Sequence, residues 1–307
     1  VRSRRQRQMC IRDSLSDGIL LSSGDVDRSF RSFPIYFFNT ALTSLVTDAV
    51  LVPVSNSGAA TSLVRSLLDG PSPYLSPVAT SAFPVGTSLT YGSVPITNGV
   101  AQVDLSNEVL GADEETRRAF SAQLVWTLST LSNVSAVQIS VSGQALALNN
   151  VGSLQTMQDW QSLSTMPNQD QTVLNVIRSE KIFSVIDDVE NLKYISQTPL
   201  VFASPNVADT QIATVTADRK SIQVTSTSES NFKLVAQGDQ ISKPTWDRDG
   251  NIYFSDFGQG VREVMPDGSL RVVSVDASTL GTSNQVKLVS VSPDGVRVAV
   301  VLSNGTQ

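Results

Sequence analysis

Two segments of the second half echo each other and constrain the fold more than any other feature of the chain. They read SKPTWDRDGNIYFSD (Ser242–Asp256) and LVSVSPDGVRVAVVL (Leu288–Leu302), with Asp-Gly pairs at Asp249 and Asp294, 45 positions apart. A degenerate third copy, ASPNVADTQIATVTA (Ala203–Ala217), lies about 41 residues before the first. Repeats of about 40 to 45 residues that each hold four short strands are typical of a β-propeller.

In the two copies that hold Asp-Gly, this pair predicts a hairpin turn, and in each copy the apolar run after the turn predicts an inner strand. Short β-type runs alternate with turns at Lys181–Asp187, Gln211–Thr216, Ser221–Thr225, Ile252–Ser255, Leu270–Val275, Lys287–Val291 and Val296–Leu302. Residues 176–307 are therefore predicted to form a partial β-propeller of about three blades. Because a propeller needs about four blades to close, and Asn304-Gly305-Thr306 reads as another turn, we expect a truncated C-terminus.

The first half predicts an α+β unit with the element order β-β-α-β-β-α-β. In chain order, the elements are expected at Phe33–Phe38, Ala49–Val54, Gly58–Leu68, Ser88–Thr97, Val100–Leu105, a helix from Asp113, and Asn133–Val141. Pro53 places the second strand near an edge or an end of its sheet. Gly70 and Pro71 predict the end of the first helix, and Asn98-Gly99 predicts a type I′ hairpin turn.

The second helix of this unit has one apolar stripe. Asp113 is expected to cap it, and Phe120, Leu124, Leu128 and Leu131 form the stripe. Trp126 falls beside the stripe, where it could pack on the sheet or stack on a ligand. Core packing is the favoured interpretation.

Composition excludes several function classes. The chain has 22 Lys+Arg against 28 Asp+Glu, a net charge of −6, no His and one Cys. Nucleic-acid binding needs a basic face, and Ser-His-Asp, Cys-His and His-zinc sites need histidine. One Cys cannot form an internal disulfide, and no apolar run reaches the roughly eighteen residues of a membrane span.

Residues 1–14 (VRSRRQRQMCIRDS) read as a non-native scar from sequencing-adapter read-through. They hold five Arg and the Cys of the chain, Cys10, and show no helical or strand period. The alternative is a basic arm for nucleic acid or anionic lipid, but the basic charge stops at Asp13. We predict a linker over residues 15–30 and expect the native N-terminus to be missing.

Three polar clusters were candidates for chemistry. Asp247-Arg248-Asp249-Gly250-Asn251 resembles half of a calcium loop, but Gly stands fourth and Gly258 occupies the position of the bidentate Glu, which favours a hairpin turn. Asp187-Asp188 with Glu190 could be the acid pair of a glycoside hydrolase, and a solvated turn is favoured. Gly258-Gln259-Gly260 reads as a plain turn. We therefore predict no catalytic, cofactor-binding or metal residue, and the binding residues stay unknown.

Three separated runs carry a family resemblance. They are LVPVSNSGAATSLVRSLLDGPSPYLSPVATSAFPVGTSL (Leu51–Leu89), VAQVDLS (Val100–Ser106) and RAFSAQLVWTLSTLSNVSAVQISVSG (Arg118–Gly143). They are similar to the GerMN domain, and LLDGPSPYL, AFPVGT and AQLVWTL stand in the order and spacing of the actinobacterial lipoprotein LpqB family. The likeness covers about residues 31–148. The second half resembles the β-propeller that follows GerMN in that family.

The resemblance implies an α+β GerMN-like domain, a linker over 149–175 and an incomplete all-β propeller. It also implies a lipoprotein anchored on the outer face of the cytoplasmic membrane. The family is implied to act as an accessory of the sensor kinase MtrB, modulating MtrA–MtrB two-component signalling in cell-envelope homeostasis and division. The lipidated Cys of the family is not matched, because Cys10 lacks a lipobox, so the anchor rests on the resemblance alone.

Without catalytic groups, the residues themselves favour a binding protein, not an enzyme. Two alternatives remain open. One is a cell-wall binder whose GerMN-like unit holds glycan or peptide, and the less favoured one is a propeller hydrolase.

Overall fold

The structure, a computed structural model, describes residues 22–54, 58–163, 174–178, 181–186, 189–226, 231–257, 259–275 and 285–303. The chain divides into two compact units. The first includes the residues up to Tyr36, Thr47–Gly70 and Phe83–Asp159, and the second includes Phe37–Val46, Pro71–Ala82 and the residues from Trp160 onward.

Two long strands with aromatic and branched side chains open the fold. β1 (Phe30–Asn39) lies between β2 (Leu45–Pro53) and the short β3 (Ala79–Thr80) in a three-stranded sheet. The turn between β1 and β2 is closed by Asn39, whose Oδ1 accepts the N–H of Thr43 at 2.9 Å. Pro53 ends β2, at an edge of this sheet within the described residues, as its missing N–H predicts.

A short helix precedes β1. Helix α1 (Ser23–Ser29) begins after Ser22, whose Oγ accepts the N–H of Asp25 at 3.2 Å. It lies inside the segment 15–30 that we predict to be a linker.

Helix α2 (Ala59–Asp69) matches its predicted amphipathic pattern. Ala60, Leu63, Val64 and Leu67 are buried along one face. Gly70 follows with φ of +94°, a conformation that glycine adopts without steric cost. The predicted stop of the helix is therefore confirmed.

The Asn98-Gly99 hairpin is confirmed, but its first strand is short. β4 (Ile96–Thr97) pairs antiparallel with β5 (Val100–Leu105), and Asn98 and Gly99 have φ of +53° and +80°. The predicted strand over 88–97 is wrong in length. Pro95 has no N–H to donate to a ladder, and the segment before it contributes only the isolated bridge Leu89–Leu105.

A β-α-β unit forms the centre of the second sheet of this domain. Helix α3 (Glu114–Leu128) connects β5 to the parallel strand β6 (Ala136–Val141), and Asp113 caps it by accepting the N–H of Thr116 at 2.8 Å. The sheet continues beyond the last strand that the sequence predicts, because β7 (Gln144–Ala145) and β8 (Leu154–Gln155) both pair with β6.

The apolar core of this domain lies between α3 and the sheet. Phe120, Leu124 and Leu128 of α3 are fully buried, as are Val103 and Leu105 of β5. The ring of Trp126 packs at 5.5 Å from that of Tyr36, which places it against β1. The packing interpretation of Trp126 therefore fits the structure.

The segment after β8 is a 3-10 helix, Met157–Leu163. Trp160 is buried within it. This ordered stretch, like β8, falls inside the predicted linker 149–175.

From Leu174 onward, the described residues form antiparallel strands and no helix, as the short β-type runs predict. Sheet I holds three strands, sheets II and III hold four each, and sheet IV holds two. Sheet I is β9 (Leu174–Arg178), β10 (Lys181–Ile186) and β11 (Val189–Ile195); sheet II is β12 (Leu200–Pro205), β13 (Gln211–Thr216), β14 (Ser221–Ser226) and β15 (Lys233–Gln237); sheet III is β16 (Thr245–Trp246), β17 (Ile252–Asp256), β18 (Gly260–Val264) and β19 (Leu270–Val273); sheet IV is β20 (Gln285–Val291) and β21 (Val298–Ser303).

The predicted fold class, an α+β domain followed by an all-β region of four-stranded units, is confirmed. In sheets II and III, the strand after the first turn lies between two neighbours, as the repeat predicts.

Sequence reasoning missed six strands of this region: β9, β11, β12, β15, β16 and β18. β16 has only two residues and β11 leaves five of its seven side chains exposed, so neither shows a clear period of two.

Adjacent sheets are joined by hydrogen bonds from buried side chains. Trp246 Nε1 donates to the carbonyl oxygen of Ser204 at 2.8 Å, which ties sheet III to sheet II. Ser255 Oγ donates to the carbonyl oxygen of Lys287 at 3.0 Å, which ties sheet III to sheet IV. Around these ties, Ala213, Val215, Ile222, Trp246 and Phe254 belong to one apolar cluster.

We expect Gly99→Ala to destabilise the protein more than the matched change Gly143→Ala. Both glycines have φ near +80°, so each alanine costs about 1 kcal/mol in backbone conformation. A Cβ on residue 99 would lie 2.7 Å from Ser135 Oγ, whereas one on residue 143 meets nothing within 4 Å. Displacing Ser135 breaks its bond to the Gly99 carbonyl, which adds about 1 kcal/mol. Urea unfolding measures the difference, and equal losses would contradict this account.

Candidate functional site

The loop Asp247–Asn251, the calcium-like candidate, forms the hairpin turn between β16 and β17. Asp247 Oδ1 accepts the N–H of Asn251 at 2.9 Å, and Oδ2 accepts its side-chain amide at 2.7 Å. The N–H of Asp247 donates to the Asn251 carbonyl at 3.1 Å. Arg248 is directed elsewhere, since its Nη2 donates to the carbonyl oxygen of Ser162 at 2.6 Å. The loop therefore has the hairpin geometry that we favoured.

A buried polar network extends from this turn. Asp247 and Glu263 are 4% and 1% exposed, and the hydroxyl of Tyr253 lies between them, 3.1 Å from Asp247 Oδ2 and 3.0 Å from Glu263 Oε1. The hydroxyl has one proton to share between these two carboxylates. Glu263 is also bonded to Arg271, a neighbour across strands β18 and β19. Buried charges of this kind are stabilised only when they are paired and hydrogen-bonded.

The network changes the acidity of its members. Burial, together with the carboxylates of Asp247 and Glu263, raises the pKa of Tyr253 well above its ordinary value of about 10. The hydrogen bond to Glu263 raises the pKa of Arg271. A tyrosine held in its neutral form beside two carboxylates donates a hydrogen bond and is not poised to act as a base.

The first turns of the neighbouring sheets are held in the same way, by hydrogen bonds from backbone N–H groups of the turn to one side-chain oxygen. We call this arrangement the brace. At the first turn of sheet II, Asn206 Oδ1 accepts the N–H groups of Thr210 and Gln211 at 2.9 and 3.1 Å. At the first turn of sheet IV, Ser292 Oγ accepts the N–H of Arg297 at 3.0 Å. Each repeat thus places a side-chain oxygen at one position to hold its turn. This recurrence marks Asp247 as part of the scaffold.

Sequence reasoning also missed a third buried acid. Asp256 ends β17 and is completely buried, and its Oδ1 accepts the N–H groups of Asp239 and Gln240 at 3.1 and 2.9 Å. These bonds fix the chain that enters sheet III. The sequence feature that could have indicated this buried acid is its place directly after the strand-like run IYFS.

The other candidates do not form a site. Asp187, Asp188, Gly258 and Cys10 lie outside the described residues, so the acid pair stays a hypothesis. Glu190 is on β11 and pairs with Arg178 at 2.6 Å, an exposed ion pair. Gln259 donates its N–H to the Asp256 carbonyl at 2.8 Å, and Gly260 has φ of +83°, which is turn geometry.

No group of three or more Cys, Asp or Glu in the described ranges is placed to hold a metal ion. No helix described here is long and apolar enough to cross a membrane.

A groove of about 340 Å³ opens where the first strands of sheets II, III and IV approach one another. Its lining includes Ser204 of β12, Thr245 of β16 and Leu288 of β20, with Lys243 at the rim. Leu288 is 47% exposed. Apolar side chains with a few polar groups are typical of binding surfaces.

Two family models match the chain. One, described as sporulation and spore germination, matches residues 34–147, which agrees with the GerMN resemblance over 31–148. The other, described as the lipoprotein LpqB beta-propeller domain, matches residues 188–307. Their order along the chain is the order that the resemblance implies.

Curated relatives carry the same name. The chain is 30% identical over 258 residues to a lipoprotein LpqB of Thermobifida fusca, covering 78% of this chain and 40% of that protein. It is 27% identical over 312 residues to a lipoprotein LpqB of Cutibacterium acnes, covering 94% of this chain and 52% of that protein. The chain therefore spans about half the length of the curated relatives it matches, or less.

The solved structures that resemble this chain include GerMN domains. The tandem GerMN domains of the sporulation protein GerM from Bacillus subtilis align with 53% of this chain and 59% of that chain, at 17% identity and a TM-score of 0.36.

We expect Tyr253→Phe to lower the free energy of unfolding by about 1–3 kcal/mol, because two buried carboxylates lose their shared donor. Tyr91→Phe is the matched control, since Tyr91 is 75% exposed and should change stability by less than about 0.5 kcal/mol. Denaturant unfolding measures both. Equal effects would show that the network contributes nothing.

Stability should fall as the pH rises above about 10. The folded state raises the pKa of Tyr253, so the unfolded chain loses this proton first and the contribution of the neutral tyrosine is lost at alkaline pH. Tyr253→Phe should flatten the slope by up to about 1.4 kcal/mol per pH unit. Tyr36 and Tyr194, whose pKa values burial also raises, leave a residual slope. Unfolding curves at pH 9 to 12 test this, and an unchanged slope in the variant would disprove it.

Proposed function

The chain belongs to the LpqB lipoprotein family, and on that premise we propose that it is a non-catalytic accessory of a sensor histidine kinase. In this proposal, the protein stands on the extracytoplasmic face of the cell membrane, held by a lipid anchor. It binds the extracytoplasmic domain of the kinase and modulates MtrA–MtrB-type two-component signalling in cell-envelope homeostasis.

The observation that carries the proposal is the pair of family models in the order GerMN-like domain, then LpqB propeller domain. The relatives that match are named lipoproteins, which agrees with an extracytoplasmic, membrane-anchored protein. These names and domains indicate no enzymatic activity.

The chemistry of the described residues supports a binding role. Asp247, Glu263 and Asp256 are buried, and each is engaged in hydrogen bonds that hold turns or connections of sheet III. Catalytic acids need access to a substrate, and these three have none. The accessible features are surface grooves instead.

A cell-wall ligand is the second candidate function. The specific observation in its favour is a groove in the GerMN-like domain whose rim carries the exposed polar residues Arg31, Ser32, Ser132 and Asn133. A hydrolase has no such support, because the two aspartates that it requires lie outside the described residues.

We expect the intact lipoprotein to co-purify with the extracytoplasmic domain of the sensor kinase, enriched at least about tenfold over an unrelated extracytoplasmic bait, which corresponds to about 1.4 kcal/mol of preference. Asp187→Asn and Asp188→Asn are matched controls, since only the hydrolase hypothesis needs these carboxylates. They should leave the enrichment unchanged.

The measurement is quantitative immunoblotting of the eluate. No enrichment over the control bait would refute the kinase proposal. Turnover of a glycoside panel that disappears in either aspartate variant would establish the hydrolase in its place.

A further inference from the structure

A groove of about 470 Å³ opens in the first unit, where the start of β1, the end of β2 and the loop after α3 come together. This volume lies in the range of about 300–1,000 Å³ that is typical of small-molecule sites. Its walls come from residues 31–33 and 130–133, about 100 positions apart in the sequence. The fold, and not a local motif, creates it.

The rim of the groove carries exposed polar side chains. Arg31, Ser32, Ser132 and Asn133 are exposed, and none of their side chains has a hydrogen bond or ion pair with another described residue. Thr130 differs, since its hydroxyl already donates to the Thr127 carbonyl at 2.7 Å. Hydroxyl and amide groups both donate and accept, which is the pattern that sugar hydroxyls require.

The charge of the groove is opposite to that of the chain. Among the described residues that line it, Arg31 is the charged one and none is Asp or Glu, although the chain carries a net charge of −6. A guanidinium matches the planar geometry of a carboxylate and binds it with two parallel hydrogen bonds. The groove therefore favours a ligand with one carboxylate.

The floor of the groove is apolar. Phe33 is half-buried, and Val52 and Leu131 are buried beneath the rim. An aromatic and aliphatic floor packs against the C–H face of a sugar ring, while the ring hydroxyls reach the rim. We propose that this groove binds a pyranose that carries a carboxylate, with Arg31 holding the carboxylate and Asn133 the ring substituents.

This ligand site goes beyond the kinase proposal and does not depend on it, because co-purification with a kinase tests a protein contact. The probe is N-acetylmuramic acid, compared with N-acetylglucosamine, which has the same ring but no carboxylate. By isothermal titration, the full chain should bind N-acetylmuramic acid with a Kd on the order of millimolar, as expected for an open groove. N-acetylglucosamine should bind at least about tenfold more weakly, since it loses the ion pair.

Variants locate the site. Arg31→Ala should weaken N-acetylmuramic acid at least about tenfold and leave N-acetylglucosamine unchanged. Asn133→Ala should weaken both sugars. Arg178→Ala, which removes an exposed arginine of β9 in the second unit, should change neither. Denaturant unfolding checks that each variant keeps the stability of the wild type.

Three outcomes would overturn the proposal. Equal affinity for the two sugars would remove the role of the carboxylate. Unchanged binding in Arg31→Ala would place the sugar elsewhere. Binding of d-alanyl-d-alanine with no binding of either sugar would make the groove a peptide site.

Discussion

One hydrogen-bond arrangement recurs through the second half of this protein, from turn N–H groups to a single side-chain oxygen. Asn206, Asp247 and Ser292 supply that oxygen in sheets II, III and IV, although they are three different residue types. Because the side-chain period of a strand is two, a turn that slipped by one residue would reverse every buried face that follows. The brace therefore fixes the register on which the packing of each sheet depends.

Buried polar groups then join the braced sheets to one another. The Trp246 indole reaches a carbonyl of sheet II, and the Ser255 hydroxyl reaches one of sheet IV. Between them, the Tyr253 hydroxyl satisfies two carboxylates that would be costly to bury alone. Sheet III is thus the element where polar chemistry is concentrated, and this chemistry stabilises the fold.

Local turn and cap chemistry was predictable because it depends on neighbours in the sequence. Gly70, Asn98-Gly99 and Asp113 all adopt the conformations that their residue types favour. The predictions were less accurate where strands are short or exposed. The two residues of β16 and the exposed β11 carry too little pattern to stand out from loops. The strand predicted over 88–97 was too long. Its residues resemble a strand, but Pro95 interrupts the run.

The sequence by itself determined the fold class, the repeat of about 40 to 45 residues and the turns that divide it, because periodicity and turn propensity act over a few residues. Only the tertiary structure decided which polar groups meet. Tyr253 could have been a surface tyrosine, and Arg31 and Asn133 are about 100 residues apart in the chain. Their placement follows from how α3 and the strands pack, and a contact between distant residues leaves no periodic signal in either segment.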